Sequence, residues 1–171
     1  RRAVWHGGQG HGWMTHFHLV PQSGAGIVIL TNSQRSWPFI ADLLSDWAQW
    51  NDLGRLKFSI INQATLAVKI LTGIIFLLSM WQLFRFIKGI LFGKRKLSPM
   101  ASGTRIWRTV QTFFGLAVIA GLAWSVTQPY LFVSSIFPGT INWLAGGLLF
   151  LALVNILAAC FPNGGITMRE R

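Results

Sequence analysis

The stretch INWLAGGLLFLALVNILAACF, residues 141–161, holds 21 residues and no charge. A bilayer's hydrocarbon core, about 30 Å thick, is crossed by about 20 mostly apolar residues in a helix. This stretch therefore reads as a membrane span, and it sets the fold class of the region around it. Working back along the chain, 107–131 meets the same test, and so does 60–86, whose cleanest part runs from Ile70 to Phe84. None is an N-terminal signal peptide, because all three lie well inside the chain. The expectation is an all-α membrane region of three transmembrane helices over 59–171, and its first partner is the lipid bilayer.

Composition agrees. Of 171 residues, 52% are hydrophobic and only 11% charged, with a mean hydropathy of +0.48. Soluble domains are about 25% charged, so a wholly soluble domain is not expected, and disorder is excluded by the same numbers. A single cysteine, Cys160, rules out a disulfide framework and a cysteine-based zinc or iron–sulfur site. No histidine falls in a span, so bis-histidine haem within the membrane is also excluded.

The net charge of +11 is concentrated. Residues 85–108 carry Arg85, Lys88, Lys94, Arg95, Lys96, Arg105 and Arg108 and no acid. A basic cluster between two apolar stretches is the pattern of a cytoplasmic membrane loop, here 87–106. No base-reading or base-stacking module accompanies it, so nucleic acid is set aside as a partner. The uncharged 127–140 loop then falls outside, as does 1–58, and the C-terminus falls inside. The aromatic residues suit this order: Trp81 and Trp107 near the inner interface, and Trp124, Tyr130 and Trp143 near the outer one.

Lys69 is expected to snorkel towards the outer end of its span. The competing reading, an ion path or buried pair, lacks a carboxylate partner within the spans. Asn155 reads as interhelical glue, and Ala117 with Gly121 as a place where helices could approach closely.

Residues 1–58 read differently. His6-Gly7-Gly8-Gln9-Gly10-His11-Gly12-Trp13 is too rich in glycine for a regular helix. In 14–20, Met14, His16, His18 and Val20 alternate with Thr15, Phe17 and Leu19, which is strand spacing. Residues 21–26 favour a turn, and Ile27-Val28-Ile29-Leu30-Thr31 reads as a strand buried on both faces. Ser36 can cap a helix with Pro38 in its first turn. In that helix Phe39, Ile40, Leu43, Leu44, Trp47 and Trp50 recur at helical spacing, with Asp42 and Asp46 on the wet side. The fold class is an α+β fragment, an antiparallel hairpin plus an amphipathic helix, followed by the membrane helices. One hairpin and one helix cannot build a stable core alone. The chain also begins without Met, so 1–58 is expected to be the end of a longer domain.

These residues carry a resemblance. Trp5-His6-Gly7-Gly8, then Gly12-Trp13, a strand, Pro21 with a turn, and Gly26-Ile27-Val28-Ile29-Leu30-Thr31-Asn32 resemble the C-terminal end of the serine β-lactamase-related family. That family comprises class C β-lactamases, D-Ala-D-Ala peptidases and related esterases. The resemblance covers about residues 4–50. It implies a β-lactamase-like domain outside the cell acting on a small acyl or peptide-like substrate through an acyl-enzyme, without a cofactor. It also places His6-Gly7-Gly8 on the strand lining the active-site cleft. There His6 would offer a polar group to the substrate, glycine would allow close approach, and the Gln9 backbone N–H would be one arm of an oxyanion hole. Gly7 stands where a hydroxyl residue is common, which favours an esterase or another acyl hydrolase. The Ser-x-x-Lys and Tyr-x-Asn motifs have no match here, so the nucleophile and base are expected upstream of this chain, which would not be active alone.

Two further readings stand beside this one. The first is a non-catalytic membrane sensor, immunity or assembly protein. The second is a small transporter subunit, motivated by Lys69 and Asn155. A zinc site at His16 and His18 with His6 or His11 matches no common ligand spacing. No metal is therefore expected, and these histidines read as partly exposed sheet residues with ordinary hydrogen bonds.

Overall fold

A computed structural model describes residues 2–54, 56, 58, 60–95, 105–128 and 132–162. Its elements are β1 (Val4–Gly10), β2 (Trp13–Val20), β3 (Ala25–Thr31), α1 (Trp37–Trp50), α2 (Ile60–Leu91), α3 (Arg105–Thr127), α4 (Phe132–Ile136) and α5 (Thr140–Cys160). The chain divides into two compact units: Arg1–Lys69 with Tyr130–Asn142, and Ile70–Pro129 with Trp143–Arg171.

The first unit holds an antiparallel sheet in the order β1-β2-β3. The expected hairpin is β2 with β3, pairing Met14 opposite Thr31 through Val20 opposite Ala25. The strand expected at His6-Gly7-Gly8 is the third, pairing with β2 from Val4 opposite Leu19 to Gly10 opposite Trp13. Cross-strand neighbours explain the glycines. A Cβ on Gly10 would overlap the Trp13 indole, and one on Gly8 would lie 2.8 Å from Thr15 Oγ1. Gly12 and Gly24 serve the two turns, with φ of 82° and 68° that side-chain-bearing residues rarely adopt.

Helix α1 covers one side of the sheet. Ile40 and Leu44 are fully buried against Met14 and Ile29, and Trp37, Trp47 and Phe58 pack around them. Asp42 and Asp46 face solvent, as their spacing requires. Three expectations need correction. The apolar stripe of α1 is narrower than its spacing implies, since Phe39 and Trp50 are exposed. Strand β3 is buried on one face only: Ile29 lies in the core, while Val28 and Leu30 are 68% and 76% exposed. The reason is that α1 lies on only one side of the sheet. Ser36 holds the N-cap position of α1 with Pro38 in the first turn, but its side chain makes no cap bond; its Oγ donates to the Ser33 carbonyl (2.9 Å) instead.

In the second unit the apolar lengths of α2, α3 and α5 dominate. Ile60–Leu91, Ile106–Thr127 and Thr140–Cys160 are each long and apolar enough to cross a membrane, so this is a membrane protein. The first span reaches further than expected, placing Lys88 inside its last turn. The third-span expectation holds to within a residue, and the second ends at Thr127. The short helix α4, between the second and third spans, has no counterpart in the sequence reading. Tyr130, Lys96 with the rest of 96–104, and the charged tail 169–171 lie outside the described residues.

Two polar side chains link the described helices of this unit. Gln82 Nε2 on α2 donates to Asn155 Oδ1 on α5 (3.2 Å), and Asn155 Nδ2 donates to the Leu151 carbonyl (2.9 Å). Asn155 is thus the interhelical link its sequence position suggests. The close helix approach lies elsewhere than expected. Ala117 is exposed and nothing stands within 4 Å of a Cβ built on Gly121. The contact instead falls at Gly115, where an added Cβ would meet Ile156 Cγ1 at 2.6 Å and the Ala152 carbonyl at 3.0 Å. Lys69 is exposed in the third turn of α2.

Two of the clustered basic residues do structural work. The last four carbonyls of a helix lack intrahelical donors. Arg95 Nη1 donates to the Phe161 carbonyl (3.0 Å) and lies 3.4 Å from that of Ala158, and Arg108 Nε donates to the Ala159 carbonyl (2.9 Å). A cation there also complements the negative end of the helix dipole. Arg95 lies over the Phe86 ring, 5.4 Å from its centroid, which turns the chain after α2 back onto α5.

Candidate functional site

His6, Gly7, Gly8 and Gln9 are consecutive residues of β1, an edge strand. Strand alternation divides them. His6 pairs with Phe17, their rings stacked at 6.4 Å, so His6 lies exposed on the sheet face away from α1. Gly8 shares that face, opposite Thr15. Gly7 lies opposite His16 on the α1 side, where a Cβ would stand 3.7 Å from His16 Nδ1. Gln9 pairs with Met14 and is exposed.

The C-terminal end of β1 is tied down from outside the sheet. Gln34 Nε2 donates to the Gly10 carbonyl (2.6 Å), fixing the loop after β3 against the end of the glycine run. An edge strand presents a row of main-chain donors and acceptors that an extended ligand can pair with. The absence of side chains at two successive positions lets such a ligand come close to the backbone. The arrangement suits recognition of a peptide-like or acyl group. Within this chain no Ser-x-x-Lys or Tyr-x-Asn supplies a nucleophile and base.

The structure also shows a feature that the sequence reading placed wrongly. His16 and His18 are 1% and 3% exposed, not partly exposed. Neither nitrogen of either ring has a hydrogen-bond partner, and the buried Trp37 Nε1 lacks one too. The two imidazoles stack at 6.0 Å within a set of aromatic rings. Trp5 stacks on His16 at 5.9 Å, Phe58 meets His16 edge-on at 4.9 Å, and Trp47 meets His18 edge-on at 5.7 Å. Burial pushes both imidazoles below their ordinary value of 6.5, and the neighbouring His18 lowers His16 further. Both rings are therefore held neutral. Alternation carried the signal: His16 and His18 share their face with Met14 and Val20, the residues that had to be buried.

Among the described residues no group of three His, Cys, Asp or Glu side chains could hold a metal ion. His6 and His11 stand apart from the buried pair, with His6 on the opposite face of the sheet and His11 exposed in the β1–β2 turn. No family model, curated protein or solved structure matches the chain.

Proposed function

We propose that residues 1–58 form the closing sheet-and-helix portion of an extracytoplasmic serine acyl hydrolase of the β-lactamase-related type, tethered by the three apolar helices. One observation carries the reading: the His6-Gly7-Gly8 run lies on an exposed edge strand backed by a helix. In such a domain the substrate lies along β1, with the imidazole of His6 beside it and the glycine backbone in close approach. A main-chain N–H at Gln9 contributes to stabilising the oxyanion, a type of donor worth about 10²–10³ in rate. The serine nucleophile and its lysine belong to a segment outside this sequence. The bare backbone at Gly7, in place of a hydroxyl, favours esters over substrates bearing a free carboxylate. The basic residues after α2 support a cytoplasmic loop there and, with it, a sheet on the outer side.

The test uses the protein from its complete gene, in native membrane vesicles. A fluorophosphonate probe should label it covalently, and His6→Ala should lower kcat/KM for a short-chain nitrophenyl ester about 10²-fold. Absence of labelling in protein that is folded and correctly inserted would leave the non-catalytic binding reading in its place. Protease accessibility of 1–58 from the cytoplasmic side would overturn the orientation.

A further inference from the structure

The first unit contains a cavity of about 690 Å³, bounded by Trp5, His18 and Trp37 at one part and by Ile60, Ile61, Phe132 and Ile136 at another. Its size falls in the range of about 300–1,000 Å³ that holds small organic ligands. The wall is aliphatic and aromatic, and three of its side chains bear nitrogen: Trp5, which is exposed to solvent, and His18 and Trp37, whose ring nitrogens are buried. His18 is 97% buried with neither nitrogen paired, and Trp37 carries a buried, unpaired indole N–H. Leaving a buried polar group unsatisfied costs about 1–3 kcal/mol, so these groups point to a ligand that satisfies them. A neutral imidazole offers one donor and one acceptor, and the indole offers one more donor. The complementary end of a ligand is therefore an uncharged group that both donates and accepts, such as a hydroxyl or a protonated carboxyl.

The rest of the wall identifies the remainder of the ligand. Ile60 and Ile61 are the first residues of α2, the first helix long and apolar enough to enter a membrane. A cavity bounded by the start of a span adjoins the bilayer surface, where hydrocarbon chains are at high concentration. Each CH₂ moved out of water contributes about 0.8 kcal/mol. We propose that this cavity binds a single-chain fatty-acyl amphiphile, its polar end against His18 and Trp37 and its chain along Ile60, Ile61, Phe132 and Ile136. The neutrality of His18 fits this, because a charged imidazole would oppose an apolar chain beside it. The inference does not depend on the hydrolase reading; it needs only the span that α2 begins.

The experiment uses the intact protein in lipid nanodiscs and two photoactivatable probes with the same diazirine-bearing chain. One is the free C16 fatty acid, and the other is a phosphatidylcholine carrying that chain. Labelling should map to peptides containing Trp37, Phe58–Ile61 or Phe132–Ile136, and unlabelled fatty acid should compete it away. Stronger labelling by the free acid supports the single-chain ligand, and stronger labelling by the phospholipid overturns it, because phosphatidylcholine has two chains and no hydroxyl or carboxyl for His18 and Trp37. Ile136→Trp fills the cavity and should cut labelling about tenfold, the effect of losing about 1.4 kcal/mol of binding. His18→Phe keeps the ring but removes both nitrogens. It should weaken the free acid about tenfold while leaving a terminally saturated alkane probe unaffected, and it serves if Ile136→Trp fails to fold. Labelling confined to the sides of the spans, or unchanged in both variants, overturns the proposal.

Discussion

Leu30 on β3 and Leu77 on α2 are almost equally exposed, at 76% and 70%, yet they pose opposite problems. Leu77 belongs to a helix of 32 residues whose apolar side chains point in every direction, so a bilayer solvates them and exposure costs nothing. Leu30 belongs to a sheet face with Trp13, Leu19 and Val28, all exposed. Water does not solvate a contiguous apolar face of that kind well, and such faces mark interaction sites. On the proposed reading, other parts of the hydrolase domain cover this one. The two regions also treat polar groups differently. The helical region pairs Gln82 with Asn155 and places two arginines on helix carbonyls, whereas the sheet region buries two histidines without partners. The first pattern leaves these polar side chains partnered within the chain. The second leaves buried nitrogens unpaired and an apolar face open, and the two proposals above fill them with a ligand and with the rest of a hydrolase domain.

The strongest way to break this contrast is at the one covered face of the sheet. Leu44 is fully buried in the α1–sheet core, so Leu44→Ala should destabilise that unit by about 2–5 kcal/mol. Leu77→Ala, on a lipid-facing side, should stay within about 0.5 kcal/mol. Thermal unfolding in detergent, followed by near-UV circular dichroism from the tryptophans of the first unit, reads both. Equal effects would mean that α1 is not what holds the sheet.

The histidine pair sharpens the contrast through pH. Burial lowers both imidazoles below 6.5 in the folded state. Above pH 6.5 both folded and unfolded chains hold them neutral, so stability is unaffected there. As pH falls through 6.5 the unfolded chain binds protons that the folded chain does not, and stability is lost until the lowered folded values are passed. The same unfolding assay between pH 8 and 5 should show a midpoint that declines below pH 6.5. In the double variant His16→Phe with His18→Phe the decline should be largely gone. A flat profile in the unsubstituted protein would place these rings in contact with water. Among the described residues, Trp5, Phe58 and Trp47 are the other rings that meet the pair.

Much of this architecture was legible in the sequence, and the misses share a cause. The three spans could be read because hydrophobicity over about 20 residues is a local property. The faces of β2 were legible for the same reason, since alternation alone grouped His16 and His18 with Met14 and Val20. What could not be read was which faces find a partner. Five apolar residues from Ile27 to Thr31 look like a strand covered on both sides, but whether something lies over Val28 and Leu30 is decided by the rest of the fold. A strand at His6-Gly7-Gly8 was expected, but why it holds glycines was not legible, because Trp13 and Thr15 crowd Gly10 and Gly8 across the sheet and that is visible only once the register is known. The family resemblance implied a strand at His6 lining a cleft, but that this strand lies at the sheet edge could be read only from the structure.

The same limit appears between the membrane helices, where small residues at regular spacing suggested the wrong contact. A Cβ on Gly115 would press on the Ala152 carbonyl, which is backbone and cannot turn aside. Gly115→Ala should therefore push α3 from α5 and cost about 1–3 kcal/mol. Gly121→Ala meets open space and should be neutral or slightly stabilising, because alanine is the better helix former by about 1 kcal/mol. Thermal stability of the two variants in the same detergent separates the two sites, and the reverse order would return the helix contact to Gly121.

The smallest effect belongs to the polar link. Removing either partner of an interhelical hydrogen bond in a membrane costs about 0.6 kcal/mol on average, because the freed group finds other partners. Gln82→Leu and Asn155→Leu should each be that mild, and Gln82→Leu should be the milder of the two. It leaves Asn155 Nδ2 on the Leu151 carbonyl, whereas Asn155→Leu removes the α5 partner of Gln82 Nε2. A double-mutant cycle on detergent-solubilised protein measures the coupling. A value near 0.6 kcal/mol keeps Asn155 as glue between α2 and α5. A coupling several times larger would mark a pair buried more strongly than its geometry allows, and would reopen a polar path between these helices.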